Sequence, residues 1–67
     1  MGYNDVVKVE AKIIVSTAKA HLIEPTMGPP EVWVPKSQIT DLGEPDEDGL
    51  RIITIKEWFA KKEGLDG

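Results

Sequence analysis

Nucleophilic catalysis needs a hydroxyl or thiol, a base beside it and a third group that orients the base. The chain holds one histidine, His21, and no cysteine. Ser16 and Ser37 would need His21 and an oriented acid assembled in a roomy cleft, and a chain of 67 residues has little space for one. An enzyme is therefore not expected, and His21 is expected to be a surface or internally satisfied strand residue. The acids Asp41, Glu44, Asp46, Glu47 and Asp48 suggest calcium chemistry only by composition. Asp46-Glu47-Asp48-Gly49 lacks the alternating ligand spacing with glycine at the sixth place, and the closing glutamate would be Glu57, which is better used in a helix cap. No metal and no cofactor are expected. The segment reads as a solvated hairpin loop, whose alternative use is an electronegative patch that meets a basic partner surface.

The stretch VWVPKSQI, residues 32–39, offers binding chemistry of another kind: an aromatic, Trp33, a cation, Lys36, and two hydrogen-bonding side chains, Ser37 and Gln38. Side chains alternate along a strand, so Val32 and Val34 share one face and Trp33 takes the other. With the valines in the core, Trp33 is displayed beside Lys36, Ser37 and Gln38 as a contact platform. With Trp33 beneath a helix, Pro35 ends the strand and Ser37 or Gln38 satisfies backbone groups at a corner. Both remain open at this level. The candidate partner-binding residues are Trp33, Lys36, Ser37 and Gln38 together with Asp41, Asp46, Glu47 and Asp48.

The elements that must carry these residues are short. Val7, Val9, Ala11, Ile13 and Val15 alternate with Lys8, Glu10 and Lys12, which predicts an amphipathic strand. Ser16-Thr17 interrupts it, by a bulge or, as preferred here, by a break. The alternation resumes with Ala18, Ala20 and Leu22 on one face and Lys19 and His21 on the other. Residues 24–30 contain three prolines and a glycine and form a wide loop to a short strand over 31–34, an antiparallel hairpin. A loop over 41–49 follows, and Leu50 begins the last strand. Thr54 and Glu57 have the spacing of a capping box, Ile53 could staple onto Trp58, Lys61 and Lys62 suit a helix C-terminus, and Gly64 suits a left-handed cap. A helix over 55–63 is predicted, with Ile55, Trp58, Phe59 and Leu65 docked on the sheet. The expected fold is α+β: one domain over 1–67, a small antiparallel β-sheet of three to five strands or a partial barrel, with one C-terminal α-helix.

Composition bounds the rest. Apolar residues make up 40% and charged residues 30% of the chain, ordinary for a folded soluble domain. No apolar run reaches a membrane span, residues 1–10 lack a signal-peptide profile, and Gly2 lacks the hydroxyl residue that myristoylation wants at position 6. A cytoplasmic protein is expected. The net charge of −4 arises in residues 41–50, which hold five acids and no cation, while the flanking segments are close to neutral. Acidity in one loop leaves room for a phosphate-bearing partner elsewhere on the surface.

The W-[IV]-P-K-S-Q-I box, the variable acidic spacer and the segment EWFAKKEGL resemble small uncharacterised proteins encoded by bacteriophages and prophages. The resemblance spans Ala18 to Leu65 and rests on Trp33, Pro35, Lys36, Ser37, Gln38, Ile39, Glu57, Trp58 and Gly64. It implies a mobile-element setting in a bacterial host cell and no particular activity. The expected function is non-enzymatic binding of a protein partner, such as a nucleic-acid-handling machine, through the acidic loop and the Trp33 surface. The alternative is a single-stranded nucleic-acid-binding small barrel, with Trp33 stacking a base and Lys36 and Lys19 near phosphates. Few cations and an acidic loop weigh against it. Sheet edges permit a monomer or an edge-paired homodimer.

Overall fold

In a computed structural model, residues 5–65 are described; Gly2 lies outside them. The chain forms β1 (Val6–Ser16), β2 (Ala20–Pro25), β3 (Val32–Pro35), a 3-10 turn (Lys36–Gln38), β4 (Ile39–Asp41), β5 (Leu50–Lys56) and α1 (Glu57–Glu63). The strands make one antiparallel five-stranded sheet in the order β3-β2-β1-β5-β4. This is the expected α+β domain, with five strands and an open sheet rather than a closed barrel.

The connection between the two edge strands fixes the shape of that sheet. Three residues join Pro35 to Ile39, a reach of at most about 14 Å, whereas β3 and β4 would stand about 19 Å apart across four flat inter-strand spacings. The sheet must therefore curl until its edges approach each other. VWVPKSQI is the corner that spans the opening.

Val9, Ala11, Ile23, Val32, Val34, Ile53 and Ile55 line the concave face, and Phe59, Ala60 and Leu65 complete the core from α1 and its C-terminus. The helix packs over β5 and β1. Gly64 takes the left-handed conformation expected of a cap and donates to Lys61 O, while the Leu65 N–H donates to Ala60 O, turning Leu65 back into the core.

The break after Ser16 is present. Thr17 builds the turn: its hydroxyl bonds to Ala20 O and accepts from the N–H groups of Lys19 and Ala20. A bulge is present as well. Ile13 pairs with Ile23, but Val15 pairs with Leu22, so the register slips at Ile14 and Val15 turns away from the core. The predicted phase of β2 is reversed by this slip. His21, Ile23 and Pro25 face inward, and Ala20 and Leu22 face outward.

The capping box does not form. Thr54 stays in β5, paired with Lys8, and the ladder between β1 and β5 continues to Lys56 opposite Val6. Strand pairing of the Ile52–Ile55 run holds these residues extended, so the helix starts at Glu57 with Lys56 as a cap that makes no side-chain bond. Glu57 instead pairs with Lys61 one turn on, at 3.7 Å. The staple and the core role of Trp58 fail with it. Phe59 is buried while Trp58, about 100° round the helix, is 50% exposed and stands edge-on to the Phe59 ring at 5.8 Å.

Candidate functional site

The two faces of the sheet differ in what covers them. Helix α1 shields the concave face, and the convex face carries no packed element among the described residues. On that convex face Trp33 pairs with Leu22, and Leu22 pairs with Val15, so three apolar side chains form a row across β3, β2 and β1. Trp33 is 50% exposed, Leu22 is half-buried between its neighbours, and Ile14 and Val15 are exposed at the bulge. The valines join the core and Trp33 is displayed. Of the two readings, the one that buries Trp33 beneath the helix is overturned, although Pro35 does end β3 and the 3-10 turn follows it.

Lys36, Ser37 and Gln38 form the 3-10 turn after Trp33. Lys36 and Ser37 are exposed, and the Gln38 side-chain nitrogen donates to Ser37 Oγ at 3.1 Å. Gln38 Oε1 is buried with no partner among the described residues. Ser37 and Gln38 thus engage each other more than they engage the backbone at the corner.

The acidic loop lies at the same end of the sheet as the β1 terminus of the apolar row. Leu50 pairs with Lys12, so the loop that precedes it emerges alongside the end of β1 that carries Ile14 and Val15. Its carboxylates are not equivalent. Asp46 Oδ1 accepts from the N–H groups of Asp48 at 2.8 Å and Leu50 at 3.0 Å, and the Asp46 N–H donates to Leu50 O. Asp46 is thereby the turn-builder of the loop. Asp41 Oδ1 accepts from the Gly43 N–H at 3.3 Å. Glu47 and Asp48 are exposed and remain free to meet a partner.

A second feature has no counterpart in the sequence-derived expectations. Where the sheet edges approach, His21, Lys36, Ile39, Thr40, Asp41 and Leu42 line an open cleft of about 360 Å³. His21 is 8% exposed, and its Nδ1 lies 2.8 Å from Ser16 Oγ. Burial, then the charges of Lys36 and Arg51, push its pKa below the ordinary histidine value. Arg51, outside that lining, donates from a terminal nitrogen to Gly43 O at 3.4 Å, while its Nε is buried without a partner among the described residues. The expectation of a satisfied strand histidine holds. Its inward direction was missed because the Ile14 bulge sets the phase of β2, and a bulge leaves no mark in a simple alternation.

The depressed pKa of His21 has a definite effect on stability. The folded state favours neutral imidazole, so the unfolded chain takes up the proton first as pH falls below about 6.5. Wild-type stability should hold at pH 8 and decline below pH 6.5, with a slope of up to about 1.4 kcal/mol per pH unit from this group. Urea melts of wild type and His21→Gln across this range should show the slope in wild type and its loss in the variant.

Compared with known proteins, the chain matches no family model, no curated protein and no solved structure. No helix among the described residues is long and apolar enough to cross a membrane.

Proposed function

We propose that the protein is a non-enzymatic binding module, a phage-type accessory protein of the bacterial cytoplasm, that takes a protein partner on the convex face of its sheet. The observation that carries this is the uncovered Trp33–Leu22–Val15 row, with the exposed acids Glu47 and Asp48 in the loop at the same end of the sheet. An apolar anchor with charge at its rim is the anatomy of a protein contact. The charge selects the occupant: a surface with an apolar centre and a Lys- or Arg-bearing rim, as on proteins that handle nucleic acid. Lys36 and the 3-10 turn flank the anchor on its other side.

The test compares variants against the partner that wild type captures from host cells. Trp33→Ala should weaken binding at least tenfold while leaving the fold intact, because its ring is half in solvent. Glu47→Gln with Asp48→Asn should slow association and flatten its salt dependence. Asp46 is left alone, since its loss would unbuild the loop. Unchanged affinity and unchanged salt dependence in both variants would sink the proposal. Binding of a single-stranded oligonucleotide at low salt, abolished by Trp33→Ala, would replace the protein partner by nucleic acid. Light scattering that shows a dimer dissolved by Trp33→Ala would assign the face to a second copy.

A further inference from the structure

Strand β1 is longer than either of its neighbours can cover. It has 11 residues, of which β5 pairs with residues 6–12 and β2 only with residues 11–16. On the β2 side residues 6–9 therefore have no strand beside them among the described residues. The last backbone bond on that side runs from the Thr26 N–H to Glu10 O at 3.0 Å. Two bonds fix which groups face the gap: Asp5 O accepts from the Glu57 N–H on the β5 side, and Glu10 O accepts on the β2 side. Backbone groups alternate in direction along a strand, so the N–H and C=O of Val6 and Lys8 point into the gap, while those of Val7 and Val9 serve the ladder to β5. Val6 is 43% exposed and Lys8 is exposed, which leaves this edge open to solvent. The outer edges of the sheet are blunted in comparison. On β3 the Lys36 N–H donates to Lys19 O, so Val32 and Val34 face β2 and Pro35 turns its missing N–H outward. Strand β4 has only 3 residues and a register slip between Ile39 and Asp41.

From this geometry we infer that residues 6–9 of β1 are a docking edge for an extended segment of a partner protein that carries an acidic residue opposite Lys8. Charge selects that occupant. Lys8 stands on the convex side with Thr54 directly across on β5 and Lys56 on the diagonal, and neither lysine has a carboxylate within ion-pair distance among the described residues. A second copy paired about Lys8 would set two lysines directly opposite each other, which is destabilising. A carboxylate in that place meets Lys8 and Lys56 together. Glu10, the next acid along the same face, lies where Thr26 already fills the neighbouring position. Val6, exposed on one face, and Val7, packed against the core on the other, call for apolar side chains opposite them. Backbone bonds to Val6 and Lys8 supply affinity, and these three side-chain positions supply selectivity. The edge lies at the Lys56 end of the β1–β5 ladder, whereas the acidic loop precedes Leu50 at the other end. It is separate from the Trp33 row and stands or falls without it.

Amide exchange in the free chain gives the first reading: the Lys8 N–H should exchange at least a hundredfold faster than its neighbour Val9, which is bonded to β5. The binding probe is the peptide acetyl-Thr-Thr-Glu-Val-Val-Thr-Thr-amide, with the same peptide carrying lysine for glutamate as its control. Each is titrated into the full chain and followed by amide NMR. The glutamate peptide should shift residues 6–8 saturably and slow Lys8 exchange at least tenfold, and the lysine peptide should bind at least fivefold more weakly. Lys8→Glu should reverse that order. Val6→Pro removes an N–H that the β5 ladder does not use, and it should weaken both peptides at least tenfold. Trp33→Ala should change neither. Equal protection of Lys8 and Val9 in the free chain would mean that the edge is closed and would overturn the inference. So would the absence of saturable shifts at residues 6–8, or equal affinity of wild type for the two peptides. Protection of Lys8 that grows with protein concentration alone would assign the edge to a second copy, against the inference. Lys8 is exposed, so the charge-reversal arm holds even where Val6→Pro fails to fold.

Discussion

Replacing Ile53 by Ala should lower folding stability by about 2–4 kcal/mol, while Ile52→Ala, one residue earlier, should change it by less than about 0.5 kcal/mol. Ile53 is 0% exposed, and it pairs with Val9 on the concave face. Ile52 is 45% exposed, and it pairs with Glu10 on the convex face. The loss at Ile53 combines the transfer of buried methylenes to water with the cavity left behind, because a sheet anchored on both sides by β1 and β4 cannot collapse into the gap. In so small a domain that loss should lower the melting temperature by roughly 10–25 °C. Thermal melts followed by circular dichroism measure both variants. Equal losses at the two positions would mean that β5 does not divide its faces as described.

That contrast shows why much of the fold was readable from the residues. Alternation of Val7, Val9, Ala11 and Ile13 with charged neighbours leaves one orientation in which the charges stay in water, and β1 adopts it. The wide hairpin to β3 and the end of that strand followed equally well, because proline positions there permit little else. Three features depended on tertiary pairing. β2 took its phase from the Ile14 bulge, and neither Ala18 nor Leu22 could reveal that. β4 is three residues long, too short for any periodicity, and exists because Ile39 and Asp41 find Ile55 and Thr54 across the ladder. The capping box at Thr54 and Glu57 was a sound local signal that lost to strand pairing, as local propensity does when tertiary hydrogen bonds compete for the same residues.

The candidate site divides along the same line. Trp33 could be assigned to the face opposite Val32 and Val34 from spacing, and only the position of α1 decided that this face is uncovered. Glu47 and Asp48 are free where Asp46 is committed, a distinction within four consecutive acidic or turn residues that composition cannot draw. The cleft was invisible because its lining comes from three elements joined by the curl of the sheet. Its one sequence trace is His21 itself, an ionisable residue beside Ile23 in a strand with a buried face.

The curl and the acidic loop come together at Gly43, where the second large effect is expected. Gly43 has a positive φ of 65°, and a Cβ there would come within 2.5 Å of Ile52 O and 3.4 Å of its carbonyl carbon. Both atoms are backbone in a central strand, so no side chain can swing aside. Gly43→Ala must move the loop away from β5, and it adds the strain of a left-handed alanine to the displacement, for a loss of about 2–3 kcal/mol. Gly49 is the matched control: its φ is 82°, and nothing lies within 4 Å of its added Cβ. Gly49→Ala should cost about 1 kcal/mol, the conformational term alone. The displacement at Gly43 also removes the acceptor of the Arg51 guanidinium and shifts Leu42 on the cleft wall. Amide shifts should therefore spread from residue 43 to residues 39–42 and 51 in Gly43→Ala and stay near residues 46–50 in Gly49→Ala. If urea melts give the two alanines equal cost, the loop does not press on Ile52, and its placement along β5 loses its anchor.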